Sequence, residues 1–172
     1  MLLTYKSFFE AKAQIDDILA IDYYFAKEII DALAIEHDEA LSFHFLVVLN
    51  KSLREGHSCL PLQAVAGTQF TYNAPLTESD TALGYSFPHL TELTSFIEQL
   101  DISPEQLKPI VYWQGNVYLR RYFQFEQDLK ANIMAKLSIK PSASHSQINA
   151  ILMQLFPEHY QGNEADIDWQ LV

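Results

Sequence analysis

The sequence is short of several things that common activities require. It has one cysteine, Cys59, so no disulfide can close within the chain, which fits a reducing cytoplasm. It has five glycines in 172 residues and no GxxxxGK[ST] loop, so this stretch has no sequence basis for nucleotide hydrolysis. Lys and Arg number 11 against 22 Asp and Glu, a net charge of -11, and the basic residues are dispersed. Binding nucleic acid mainly through phosphates needs clustered cations, so autonomous binding of that kind is disfavoured, although a small basic patch remains open. Long apolar runs are missing too. The longest, Phe43 to Leu49, contains His44 and is far too short to span a bilayer. The start, MLLTYKSFFEAKAQIDD, lacks the basic opening and apolar core of a signal peptide. No serine sits in a nucleophile-elbow context, and no repeat or low-complexity tract occurs.

What is present is apolar content, 49% of residues, in a chain long enough to bury about 70% of its unfolded surface. Asp17 to Ile35 reads as one or two helices, with Ile18, Ile21, Phe25, Ile29 and Leu33 three or four apart. Asp38 is a good N-cap for a helix from Glu39 to Glu55. The middle of that helix, LSFHFLVVL, is apolar on nearly every side and predicts the central buried element. Thr68 to Ser86 reads as a loop, with room for a short strand. Pro88 at N1 opens a helix with Leu90, Leu93, Ile97 and Leu100 as its seam. Ser103-Pro104-Glu105-Gln106 resembles a capping-box start for one helical turn. Ile110 to Trp113 and Val117 to Arg120, joined through Gly115-Asn116, predict a β-hairpin. A long helix follows, Tyr122 to Leu137, with Tyr122, Phe125, Leu129, Ile133 and Leu137 on one face. Lys140 to Ser144 is a linker. Ser146 then caps a short helix whose Ile148, Ile151, Leu152 and Leu155 face inward, and Asp168 opens a last, unfinished one.

Leu49 to Leu62, LNKSLREGHSCLPL, contains the one pattern that resembles a reactive site. A structural zinc site wants four ligands in paired spacings, and His57-x-Cys59 offers two. A cysteine nucleophile needs a base within hydrogen-bond reach. The structural reading accounts for more of the residues. Gly56 can end a helix in the left-handed conformation, and Leu60, preceding Pro61, is extended. Pro61 then starts a short helix closed by Gly67, so the stretch predicts a helix-corner-helix joint. The acidic residues do not concentrate anywhere, and no residue is singled out as catalytic, as a metal ligand or as a cofactor contact. The most suggestive polar group is Tyr118, Arg120, Arg121, Tyr122 and Glu126 beside the hairpin. Arg120, Arg121 and Tyr122 could contact single-stranded nucleic acid. The structural alternative pairs Arg121 or Tyr122 with Glu126 one helical turn on.

Three segments together resemble a known family. Leu53 to Leu62 (LREGHSCLPL), Pro109 to Leu129 (PIVYWQGNVYLRRYFQFEQDL) and Gln154 to Val172 (QLFPEHYQGNEADIDWQLV) are similar to the N-terminal domain of the exodeoxyribonuclease V alpha subunit, the RecD-type helicase of RecBCD. The resemblance implies a 5′-to-3′ DNA helicase subunit of a repair and recombination nuclease. In it, ATP and Mg belong to a motor domain that would lie downstream of Val172. It also implies a cytoplasmic assembly role, with docking on the gamma (RecC-type) subunit, the beta subunit as a further partner and DNA met through the complex. No catalytic residue of the family falls on these positions. The expected fold is mainly α, an orthogonal helical bundle with one β-hairpin and a winged-helix-like order of elements. Residues 1–140 would form the domain, and 141–172 a linker helix leading to the motor. The competing readings are a single-strand-guiding module using the hairpin with Arg120 and Arg121, and a small enzyme built on His57 and Cys59.

Overall fold

The computed structural model describes residues 5–15, 17–71, 84–139 and 144–156. The chain divides into two compact units, 1–128 and 129–172. Among the described residues it is mainly α, with a small antiparallel sheet that contains the hairpin. The expected helix start at Asp168 lies outside them.

The first unit is built around two helices, α2 (Ala20–Leu33) and α3 (Glu39–Arg54), preceded by the short α1 (Phe8–Gln14). Every residue of α3 from Ser42 to Val47 is buried, as a helix apolar all round must be to leave water. It ends one residue earlier than its sequence suggests. Asp38 holds the N-cap position but makes no side-chain cap. Its carbonyl instead accepts from the Ser42 amide at 2.8 Å and the Ser42 hydroxyl at 2.9 Å. The α2 face differs from the expected stripe. Tyr23, Ala26, Ile29 and Ile30 are buried, whereas Ile21 is exposed.

The reason is a polar anchor that apolar spacing cannot reveal. Asp22 is 1% exposed and lies against α3. Arg54 donates to both its oxygens, Nε to Oδ1 and Nη2 to Oδ2, each at 3.0 Å. Asn50 Nδ2 donates to Oδ1 at 2.7 Å, and the Leu19 amide donates to Oδ2 at 2.9 Å. One carboxylate thus caps the start of α2 and ties it to the end of α3. Turning Ile21 inward would pull Asp22 off Arg54.

His44, at 0% exposure, lies within an aromatic group. Its ring stacks on Tyr85 at 4.2 Å between centroids, and Tyr5, Phe43 and Phe70 approach it edge-on. Nδ1 donates to the Ala40 carbonyl at 2.7 Å. Burial pushes its pKa below the usual histidine value, and the Ala40 bond opposes this only in part. The unfolded chain therefore binds this proton at higher pH than the folded one does. Stability is full above the ordinary histidine pKa and is lost as pH falls from about 6.5 towards the lowered folded value. Urea unfolding at stepped pH is expected to show wild-type stability falling more steeply than that of His44→Phe across this window. The difference in slope should approach about 1.4 kcal/mol per pH unit at most, and equal slopes would count against it.

After α3 the chain turns as expected at Gly56, whose φ is +95°. The Gly56 amide donates to Leu53 O and the His57 amide to Ser52 O, both at 3.2 Å. These two bonds close a Schellman cap. The next residues depart from the expected corner. Cys59–Pro61 is a strand, β1, and Pro61 is the N-cap rather than the first residue of the single-turn α4 (Leu62–Val65). β2 (Gln69–Thr71) pairs with β3 (Gly84–Ser86), so the Thr/Ser/Asn-rich stretch contains two strands. Residues 72–83 lie outside the described set. α5 spans Leu90–Gln99 with His89 as N-cap, two residues later than Pro88 suggested. Leu93, Phe96, Ile97 and Leu100 are buried, whereas Leu90 is not.

β4 (Ile110–Trp113) and β5 (Asn116–Leu119) form the expected hairpin, and β1 adds to β5 to give the order β1-β5-β4. Trp113 pairs with Asn116, so the central turn residues are Gln114 and Gly115, not Gly115 and Asn116. Their φ values of +49° and +79° mark the turn whose twist suits a two-residue hairpin. α6 (Arg120–Ser138) starts at the residue after β5. In the second unit, α7 (His145–Leu155) is capped by Ser144 rather than Ser146. Ser144 and Gln147 satisfy each other's amides in a capping box, which Ser146 has no partner to form. Of its expected inward face, Ile148 and Leu152 are half-buried and Ile151 and Leu155 exposed, so none is buried. The same holds for Phe125, Leu129, Ile133 and Leu137 on α6, where Phe123 alone is buried.

Candidate functional site

The conspicuous residues of the sequence converge where β1, the hairpin and the start of α6 meet. Strand side chains alternate between the two faces of a sheet. Leu60, Ile110, Tyr112, Val117 and Leu119 accordingly pack on the main core. Cys59, Val111 and Tyr118 form a second cluster with Phe123 of α6. The register sets Cys59 opposite Tyr118. Strand pairing, not ligand geometry, therefore determines where the cysteine sits.

On that second face is a small polar cluster. The Ser58 hydroxyl donates to Glu126 Oε1. The Tyr118 hydroxyl lies close enough to Cys59 and Glu126 for both to act on its proton. Its pKa is pushed up to about 12, first by burial and then by the neighbouring Cys59 and Glu126 side chains. Such a tyrosine stays protonated at any physiological pH and cannot act as a base. Glu126 therefore accepts from Ser58, where the sequence suggested Arg121 or Tyr122. His57 is exposed and supplies its backbone amide to the helix cap. Among the described residues, no group of three or more His, Cys, Asp or Glu could hold a metal ion.

The three residues proposed for nucleic-acid contact are placed differently from one another. Arg120 Nε donates to Lys108 O at 3.1 Å, Nη1 to Pro104 O at 2.8 Å, and Nη2 to Ser103 O at 3.3 Å and to Gln106 O. Its fork thus gathers four carbonyls of the 103–108 loop, which forms turns rather than the expected helical turn. Carbonyls pointing at a guanidinium cannot also point along a helix axis. Lys108 Nζ donates to Leu100 O at 2.7 Å and pins the same loop from the other end. Glu105, fully exposed, has its pKa lowered by its own backbone amide, then by the Ser103 hydroxyl, with Arg120 a smaller contributor. Arg121 lies over the Tyr122 ring, 4.8 Å from its centroid, and donates to the Tyr122 hydroxyl at 3.1 Å.

Beside these arginines is an open groove of about 650 Å³, lined by Pro109, Leu119, Arg120, Arg121, Gln124 and Phe125. Sequence reasoning located its arginines but not its floor. The available signal was Phe125 at the head of an apolar stripe, which reads equally well as core.

Fold and site together define a mainly helical module with a hairpin, whose conspicuous polar residues bond to its own backbone and side chains. A family model described as the RecBCD enzyme subunit RecD, N-terminal domain, matches residues 16–118. The chain belongs to this family, the N-terminal domain of the RecD helicase subunit of RecBCD. No curated protein matches it. Among the described residues, no helix is long and apolar enough to cross a membrane.

Proposed function

We propose that the chain is a non-catalytic assembly domain, which docks the helicase subunit of exodeoxyribonuclease V onto its RecC-type partner in the cytoplasm. It would thereby serve double-strand break repair and homologous recombination, with ATP and Mg handled by a motor domain elsewhere in the parent protein. The observation that carries this reading is family membership over residues 16–118. The chemistry of the junction supports it. Arg120, Glu126 and Ser58 are held in structural bonds. The net charge of -11 suits a protein contact better than a phosphate backbone.

Co-expression with the RecC-type subunit, followed by size-exclusion chromatography, is expected to give a stable complex. A folded chain that elutes alone would overturn the reading. ATP turnover by the purified chain above the level of a heat-denatured control would overturn its non-catalytic part.

A further inference from the structure

The groove at the junction of β5 and α6 has a floor of one chemical character and a rim of another. Pro109, Leu119 and Phe125 are apolar, and among the described residues the charged ones lining it are Arg120 and Arg121. Two cations and, among the described residues, no carboxylate line it in a chain whose net charge is -11. Arg120 is fixed by its four carbonyls. Arg121 is exposed and makes no ion pair among the described residues. Phe125 is 63% exposed. Leu107, two residues before Pro109, is 99% exposed at the tip of the loop that Arg120 and Lys108 pin down. An apolar group held out on an immobilised loop loses little conformational freedom when it is covered, which is what favours binding.

Resting on the docking role proposed above, we infer that this groove receives an apolar segment of the RecC-type subunit that carries a carboxylate opposite Arg121. The apolar side chain fills the space between Leu119 and Phe125, and the carboxylate meets the guanidinium at the rim. A strand of nucleic acid fits the same place less well. Arg120 is committed to the loop, and the Tyr122 ring is already covered by Arg121. Among the described residues, Arg121 is then the one cation left beside the exposed Phe125 ring, too little positive charge for a phosphate-neutralising channel.

The test uses the 172-residue chain and the purified RecC-type subunit of the same organism as the probe, with affinities read by calorimetry. Phe125→Ser and Arg121→Glu are surface changes, and unchanged melting curves confirm that each variant is folded. Each is expected to weaken binding about tenfold or more, while Ile21→Ser, an exposed apolar change on α2, leaves it unaltered. Arg121→Gln should lose less affinity than Arg121→Glu and bind with weaker salt dependence than wild type. If the wild-type chain binds and neither groove variant weakens it, the groove assignment is wrong and the docking role stands. If the folded wild type does not bind, both fall together. A dimer seen in sedimentation and abolished by Phe125→Ser would make the occupant a second copy. Salt-dependent binding of oligothymidine, lost in Arg121→Glu, would make it nucleic acid. Either result overturns the inference.

Discussion

Asp22→Ala is expected to lower the free energy of unfolding by about 3 kcal/mol, the low end of the range for removing one partner of a buried ion pair, because Arg54 is itself part-exposed. Asp22 is 1% exposed and accepts four hydrogen bonds, from Arg54 twice, from Asn50 and from the Leu19 amide. Its removal leaves an arginine and an amide facing a small cavity, and leaves the first turn of α2 uncapped. The loss therefore exceeds that of an exposed pair such as Lys51 with Asp17, 3.2 Å apart, which contributes no more than about 1 kcal/mol. In a chain of this size, the midpoint of thermal unfolding should fall by roughly 6–12 °C. A double-mutant cycle with Arg54→Ala separates the pair from its surroundings. The double variant should be less destabilised than the sum of the two single ones, because the second deletion removes the stranded charge. Strict additivity would show that the two side chains are not coupled.

Arg120→Ala is expected to be the next most damaging single change, by about 2–3 kcal/mol. Hydrogen bonds from a charged donor are each worth about 1.5–3 kcal/mol. Four are lost, but the carbonyls of Ser103, Pro104, Gln106 and Lys108 lie in a partly solvated loop and can be rehydrated. Arg120→Lys should recover less than half, since an ammonium cannot span carbonyls arranged for a planar fork. Amide hydrogen exchange, compared between wild type and the alanine variant, should quicken within 103–108 and at Tyr112, whose amide donates to Ile102 O at 2.8 Å. A role confined to phosphate contact makes the opposite forecast, with stability untouched by either substitution. That result would remove the clasp from the account.

These two anchors also show what the amino-acid pattern makes legible. The large features carry local signals. LSFHFLVVL announces a helix buried all round, Gly56 announces its end, and the alternating β-branched and aromatic residues around Gly115 announce a hairpin. Asp22 and Arg120 give no such signal. An aspartate in the first turn of a helix looks like ordinary dipole chemistry, and an arginine after a strand looks like a solvated charge. Their partners lie 32 and 12–17 residues away. β1 is hidden for the same reason. Three residues cannot show a period of two, and the strand exists only because Asn116–Leu119 arrives 57 residues later to pair with it. The His57-Ser58-Cys59 triplet attracts attention because its residue types are reactive, yet the register that sets Cys59 against Tyr118 is invisible in one dimension. The stripe on α6 fails in the other direction. Phe125, Leu129, Ile133 and Leu137 repeat at helical spacing whether a core or a partner covers them, and in this chain they are exposed.

The join between β5 and α6 is a peptide bond with no loop, Leu119 being the last strand residue and Arg120 the first helical one. A connection without slack behaves as a welded crank. The 19 residues of α6 extend about 28 Å at 1.5 Å per residue. A tilt of about 5° at the hairpin carries Asp128, about 12 Å along the helix, through about 1 Å by the same geometry. Arg120 is at once the first residue of that crank and the bolt holding the 103–108 loop, so the loop and the first turn of α6 share one anchor.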